Sequence, residues 1–140
     1  MKKFWQVVSK KDLIFGIVVL ILALIISFKP SNKVRFSFGE DAVDIKTTKY
    51  SMNIPYDMID SVALADKPDM GEKLGGFTDD IIATGTWKND TWGEYTACIE
   101  VVTENCIVID LTDGRTFVVS RRDREETQRV YEDFQTYLNR

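Results

Sequence analysis

The sequence predicts a mainly β domain of about seven short antiparallel strands closed by one C-terminal α-helix, preceded by a single membrane-spanning helix. Three observations carry this. Leu13–Phe28 is a sixteen-residue apolar run without a charge. Residues 34–120 are a succession of short runs, most of them alternating apolar and polar, cut by turn residues. Residues 123–139 alone carry a long apolar stripe at helical spacing. The implied organisation is a basic tail at 1–12, a transmembrane helix at 13–28, a linker at 29–33 and one β domain at 34–140, long enough to bury a core without disulfide or metal staples.

The run at 13–28 has three readings. A buried core helix carries polar residues on its outer face, and here only Ser27 is polar. A signal peptide ends in small residues at its cleavage positions, and Ser27-Phe28-Lys29-Pro30-Ser31 has no such pattern. An uncleaved anchor remains, carried by Leu13, Ile14, Phe15, Ile17, Val18, Val19, Leu20, Ile21, Leu22, Leu24, Ile25, Ile26 and Phe28. Sixteen helical residues rise about 24 Å against a hydrocarbon core of about 30 Å, a deficit that snorkelling by Lys10, Lys11 and Lys29 offsets. Pro30 is expected to end the helix. Before the run, Phe4, Trp5, Val7 and Val8 read either as a small face lying at the membrane interface or as a loose tail.

Charge is divided unevenly. The net of −4 hides a domain that carries 12 basic and 21 acidic residues from Val34 onward, a net of −9. Such a domain is repelled by phosphate backbones, which argues against nucleic-acid binding. Four lysines precede the run, and Lys29, Lys33, Arg35 and Lys46 follow it. The N-terminal amine tips this balance towards a cell-membrane protein with its tail inside and its domain outside.

There is no histidine, so Ser-His-Asp and Cys-His nucleophile activation and every His-containing metal site are excluded. No cofactor, metal or catalytic residue is implied.

Along the domain, Val34–Phe38 and Ala42–Lys46 form a hairpin about Gly39-Glu40-Asp41, Tyr50–Ile54 is a third strand, and Ile59–Ala65 resumes after Pro55-Tyr56-Asp57. Asp66–Asp80 is a long Gly-, Asp- and Pro-containing segment, either a functional loop or a surface crossover between two sheets. Ile81–Trp87 and Trp92–Val102 flank Lys88-Asn89-Asp90-Thr91, so Trp87 and Trp92 are expected to face each other, as a packing pair or as a ligand platform. Asn89-Asp90-Thr91 also matches the glycosylation sequon.

Cys106–Leu111 and Thr116–Ser120 flank the Asp113-Gly114 turn signal. A hairpin about Thr103-Glu104-Asn105 pairs Cys106 with Val102 and leaves Cys98 about 13 Å away, beyond disulfide reach. Both cysteines are therefore expected to be free and buried, which suits a reducing compartment and opposes the charge argument for an outside domain.

Asp123–Asn139 is the domain's helix. Asp123 and Glu126 make a capping-box-like start, and Val130, Tyr131, Phe134, Tyr137 and Leu138 form the stripe. Arg121, Arg122 and Arg124 are interleaved with acids, the pattern of a solvated helix start rather than of an anion site.

Ile54-Pro55-Tyr56-Asp57-Met58-Ile59-Asp60-Ser61-Val62, Gly85-Thr86-Trp87 with Trp92-Gly93-Glu94-Tyr95, Ile107-Val108-Ile109, Asp113 through Ser120, and Glu126-Thr127 through Tyr131 together resemble pleckstrin-homology (PH)-like domains. More narrowly, the chain resembles the small bacterial PH-domain proteins with an N-terminal transmembrane helix. The resemblance spans Val34 to Leu138 and implies a PH-like barrel capped by its helix, and a binding or scaffolding module rather than a catalyst. It implies no phosphoinositide recognition here, because the first hairpin turn, Gly39-Glu40-Asp41, is acidic where a phosphate reader is basic.

The functional expectation is a membrane-anchored, non-catalytic module engaging a protein or peptide, in a groove between the strand after Gly76 and the helix face bearing Phe134. One alternative is a hydrolase using paired carboxylates among Asp66, Asp69, Asp79 and Asp80. The other is an accessory subunit of a membrane complex packed through the 13–28 helix, for which Gly16 and Ala23 are too far apart to form a small-residue face.

Overall fold

The computed structural model describes residues 9–27 and 33–140, and the chain divides into two compact units, residues 1–31 and 32–140.

In the first unit, helix α1 (Lys10–Ser27) starts three residues before the apolar run. Ser9 caps it: the Ser9 hydroxyl accepts the Asp12 N–H at 3.2 Å, and the Asp12 carboxylate reaches back to the Ser9 hydroxyl at 2.8 Å, a reciprocal cap that satisfies the helix start. The membrane-spanning helix expected at 13–28 is corrected here: no helix among the described residues is long and apolar enough to cross a membrane. The first turn of α1 is spent on Lys10, Lys11 and Asp12, and the uncharged remainder, 13–27, rises only about 22 Å against roughly 30 Å of hydrocarbon. The expected anchor residues Leu13, Ile14, Phe15, Ile17, Val18, Val19, Leu20, Ile21, Leu22, Leu24, Ile25 and Ile26 are each about half exposed or more in this helix. The single-pass cell-membrane placement, with an inside tail and an outside domain, falls with the anchor. Phe28, the stop at Pro30, most of the 29–33 linker and the face at Phe4, Trp5, Val7 and Val8 lie outside the described residues.

The second unit holds two sheets. β1 (Arg35–Phe38), β2 (Ala42–Lys46) and β3 (Ser51–Pro55) form an antiparallel three-stranded sheet in that order. Pro55 and a 3₁₀ turn at Tyr56–Met58 then carry the chain into the second sheet. That sheet contains β4 (Ile59–Asp66), β5 (Glu72–Lys73), β6 (Ile82–Asn89), β7 (Gly93–Glu100), β8 (Asn105–Leu111) and β9 (Thr116–Val119), in the order β4-β8-β9-β7-β6-β5. The expected barrel does not close. β3 pairs only with β2 and β4 only with β8, because the turn at Pro55–Met58 separates the two sheets.

The sheet is not wholly antiparallel either. β9 lies between β7 and β8, parallel to β7 with Cys98 opposite Val119, and antiparallel to β8 with Ile107 opposite Val119. The expected pairing of Cys106 with Val102 is therefore replaced. The 101–104 connection is a wide link over an inserted strand rather than a hairpin.

Alternation along these strands sorts the core into two layers. Cys98, Ile107, Ile109, Phe117 and Val119 point to one face and pack with Val43, Ile45, Met52 and Ile54 of the small sheet. Helix α2 (Arg124–Leu138) completes this layer with Phe134, which is fully buried. Its N-cap is Asp123, whose side chain accepts the Glu126 N–H at 2.8 Å. Phe36 and Phe38 meet the Phe134 ring edge-on at 6.4 and 5.0 Å.

Ala97, Ile99, Cys106, Val108 and Val118 point to the opposite face. Met70, Trp87 and Trp92 pack there, and the Tyr95 hydroxyl donates to the Met70 carbonyl at 2.7 Å. The segment after β4 is thus a strap across this face. It then runs along β6 as an irregular edge. The close approach of Gly76 to Gly85, both at positive φ, leaves no room for a Cβ on either: one on Gly85 would sit 2.3 Å from the Gly75 carbonyl oxygen.

Candidate functional site

The feature with the best-defined geometry is the border between β1 and α2. β1 is an edge strand. The Gly39 N–H donates to the directly opposite Ala42 carbonyl at 2.9 Å, so in the alternation of an antiparallel ladder Ser37 and Arg35 also face β2. Val34, Phe36 and Phe38 therefore turn their N–H and C=O groups away from the sheet. Between this edge and α2 lies a cleft of about 230 Å³ lined by Phe36, Phe38, Arg121, Glu126, Arg129, Val130 and Asp133.

One end of the edge is closed by a charge cluster. The Glu100 carboxylate accepts the Val34 N–H, and the Arg121 guanidinium donates to the Val34 carbonyl. Both outward groups of this buried residue are thereby satisfied by side chains. Arg121 lies between two carboxylates, 3.5 Å from Glu100 and 3.6 Å from Glu126. The Oε2 atoms of both glutamates are buried without a hydrogen-bond partner. Burial raises the Glu100 pKa and Glu126 adds to the rise. Arg121, the Val34 N–H and Arg122 act against it.

The groove expected between the strand after Gly76 and the Phe134 face is corrected: α2 packs mainly against β1, β4 and β8, and Phe134 is core. The four loop carboxylates are not brought together. Asp66 pairs with Arg124 at 3.5 Å, Asp69 accepts the Gly71 N–H at 2.8 Å, Asp79 accepts the Ile81 and Ile82 N–H groups at 2.7 Å, and Asp80 is exposed. Two of the four thus serve turn formation.

Arg121, Arg122 and Arg124 also separate. Arg121 is in the cluster, Arg124 bridges Asp66 and Glu104, and Arg122 is exposed. Trp87 sits opposite Tyr95 instead of Trp92. Trp92 lies in the turn and meets Tyr95 edge-on at 5.2 Å. In the sequon, the Asn89 amide donates to the Asp69 carbonyl and accepts from the Trp92 N–H, so its side chain is taken up by the turn.

Cys98 and Cys106 are buried free thiols on opposite faces of the sheet. Burial pushes them up to about 12 and about 11, which makes them inert as nucleophiles. Among the described residues, no group of three or more His, Cys, Asp or Glu side chains could hold a metal ion.

Sequence reasoning missed the cluster at Val34. The signal was present: Glu100 occupies a strand position of the same parity as Cys98, where an inward side chain is expected.

Two sheets, an open edge and one amphipathic C-terminal helix define the class as a mainly β domain. The model of one family, bacterial PH domain, matches residues 34–133, so the chain belongs to the bacterial PH domain family. No curated protein and no solved structure matches it. A PH-like domain fits a non-catalytic binding module, and such domains are in general not enzymes.

Proposed function

We propose that residues 34–140 bind a partner protein by accepting an extended segment of it as an added strand on β1, in the cleft beside α2. The observation that carries this reading is the pair of outward-facing backbones at Phe36 and Phe38, which border a cleft with an apolar wall at Val130. Strand addition draws affinity from such main-chain groups and specificity from the neighbouring pockets. Glu100 and Arg121 already occupy Val34, so the added strand pairs only with the 36–38 stretch. A phosphoinositide headgroup is a poor ligand for this domain, since the β1–β2 turn presents Glu40 and Asp41, both exposed.

The test is selection of peptides on the full chain from a random displayed library, followed by amide exchange with a selected peptide bound. Exchange at the Phe36 and Phe38 N–H groups should slow, and Val130→Glu should weaken binding by at least about tenfold, the equivalent of one lost apolar contact. Selected peptides that leave both amides unchanged and tolerate Val130→Glu would refute the site.

A further inference from the structure

Among the described residues the two sheets leave four edges, and those of β3 and β5 are blunted in ways known to prevent strand pairing. β1 is four residues long and closed at Val34, so only its 36–38 stretch is open. β3 is five residues long and ends in Pro55. β5 is two residues long, and the chain after it is bulged at Gly75-Gly76. β4 is different. It has eight residues, Ile59–Asp66, with no Lys, Arg or Pro. Its one irregularity is a register shift between Ile59 and Ser61, which leaves 61–66 regular.

The Lys67 N–H donates to the directly opposite Glu104 carbonyl at 3.0 Å. Ala65, Ala63 and Ser61 therefore face β8, and Val62, Leu64 and Asp66 turn their backbone groups outward. Beside these groups Ala63 and Leu64 are exposed, Leu64 at 37%.

We infer that the edge of β4 is an interface with a second copy of this chain, the two β4 strands pairing antiparallel about a two-fold axis at Leu64. The occupant follows from the register. Pairing about residue 63 would set Asp60 opposite Asp66 of the partner, like charges face to face, which is destabilising. Pairing about Leu64 sets Leu64 against its own copy, Ala63 against Ala65 and Val62 against Asp66, so no acid faces an acid. The side chains at 63 and 65 are small enough for close approach. Asp66 keeps its ion pair with Arg124 of its own chain. The two six-stranded sheets then become one of twelve, and the unprotected edge disappears. A strand pair of this length buries less than the roughly 1,000 Å² of a stable interface, so the dimer is weak and forms with rising concentration.

The full chain carrying Leu64→Cys tests this. Directly opposed hydrogen-bonded residues have Cα atoms about 5.5 Å apart, within the disulfide range, so mild oxidation should give a linked dimer. Val102→Cys, on an exposed turn, should not link. The native thiols are buried and do not compete. By sedimentation, Leu64→Lys should weaken association at least about tenfold. Leu64→Pro, which removes only an outward N–H, should abolish it while leaving the circular dichroism spectrum unchanged.

Absence of the Leu64→Cys dimer at concentrations where the wild type self-associates would overturn the proposal, and so would a wild type that stays monomeric. Association that survives Leu64→Lys would mean that α1 or another surface carries it, and would overturn it equally. Capture of a foreign peptide along β4, with no self-linkage, is the remaining contrary outcome.

Discussion

Both faces of the six-stranded sheet carry fully buried residues, and they are differently covered. One face lies under regular structure, the small sheet and α2, with Phe134 in the middle of the layer. The other lies under an irregular strap anchored by Met70 and by the Tyr95 hydroxyl, Asn89 amide and Lys67 ammonium bonds. Burial alone does not distinguish them: Ile107 and Cys106 are both at 0% exposure on opposite faces. What differs is how the cover is held. α2 has its own capped hydrogen-bond ladder. The strap depends on bonds to the sheet beneath it, such as the Asn89 amide to the Asp69 carbonyl. Local stability varies in this way within one domain, and the strapped face is expected to open first.

Phe134→Ala should break the better-covered face, costing about 3–5 kcal/mol by the usual range for buried aromatic truncation, read by urea denaturation. Gly85→Ala attacks the strap's continuation, because the new Cβ meets the Gly75 carbonyl at 2.3 Å with φ at +98°. A cost of about 1–3 kcal/mol is expected for a strained backbone, with faster amide exchange at Thr84 and Thr86. No change in exchange there would mean that the edge along β6 is not held by that approach.

Tyr95→Phe removes a single bond to the strap and should cost about 0.5–1.5 kcal/mol. Its sharper reading is protease cutting within 66–72, which should quicken while α2 stays protected. Equal loss of protection on both faces would erase the distinction.

The smallest expected effect is that of pH. Glu100 has a raised pKa in the folded state. Its contribution to stability is therefore present at low pH and is lost as pH rises through that raised value. Glu100→Gln should flatten the fall in stability as pH rises above the ordinary carboxylate range. An unchanged slope would remove Glu100 as its source.

Much of the fold was legible in the chain. The hairpin at 34–46 keeps its expected turn, since Gly39 and Asp41 mark it and period-two alternation sets which residues face inward. The cap at Asp123 and the inward position of Phe134 followed from spacing along the helix. The candidate site was not legible. Its cleft joins residues 36–38 to residues 121–133, and its clamp joins Val34 to Glu100 and Arg121. No local pattern records such distant pairings. The groove was expected beside the strand after Gly76 for the same reason: sequence order suggested a neighbour, and the insertion of β9 between β7 and β8 gave a different one.

By itself, then, the sequence determined where most of the strands and the C-terminal helix form, because alternation, turn glycines and capping residues act within a few positions of one another. It also determined the excess of acid after Val34 and the absence of imidazole chemistry. Only the tertiary structure decided which strands are neighbours, that the sheets stay open, that the strap covers a second core face, and that β1 and β4 keep free edges. Those outcomes rest on packing between distant segments, where the chain satisfies backbone groups with whatever strand or side chain the whole fold brings within reach.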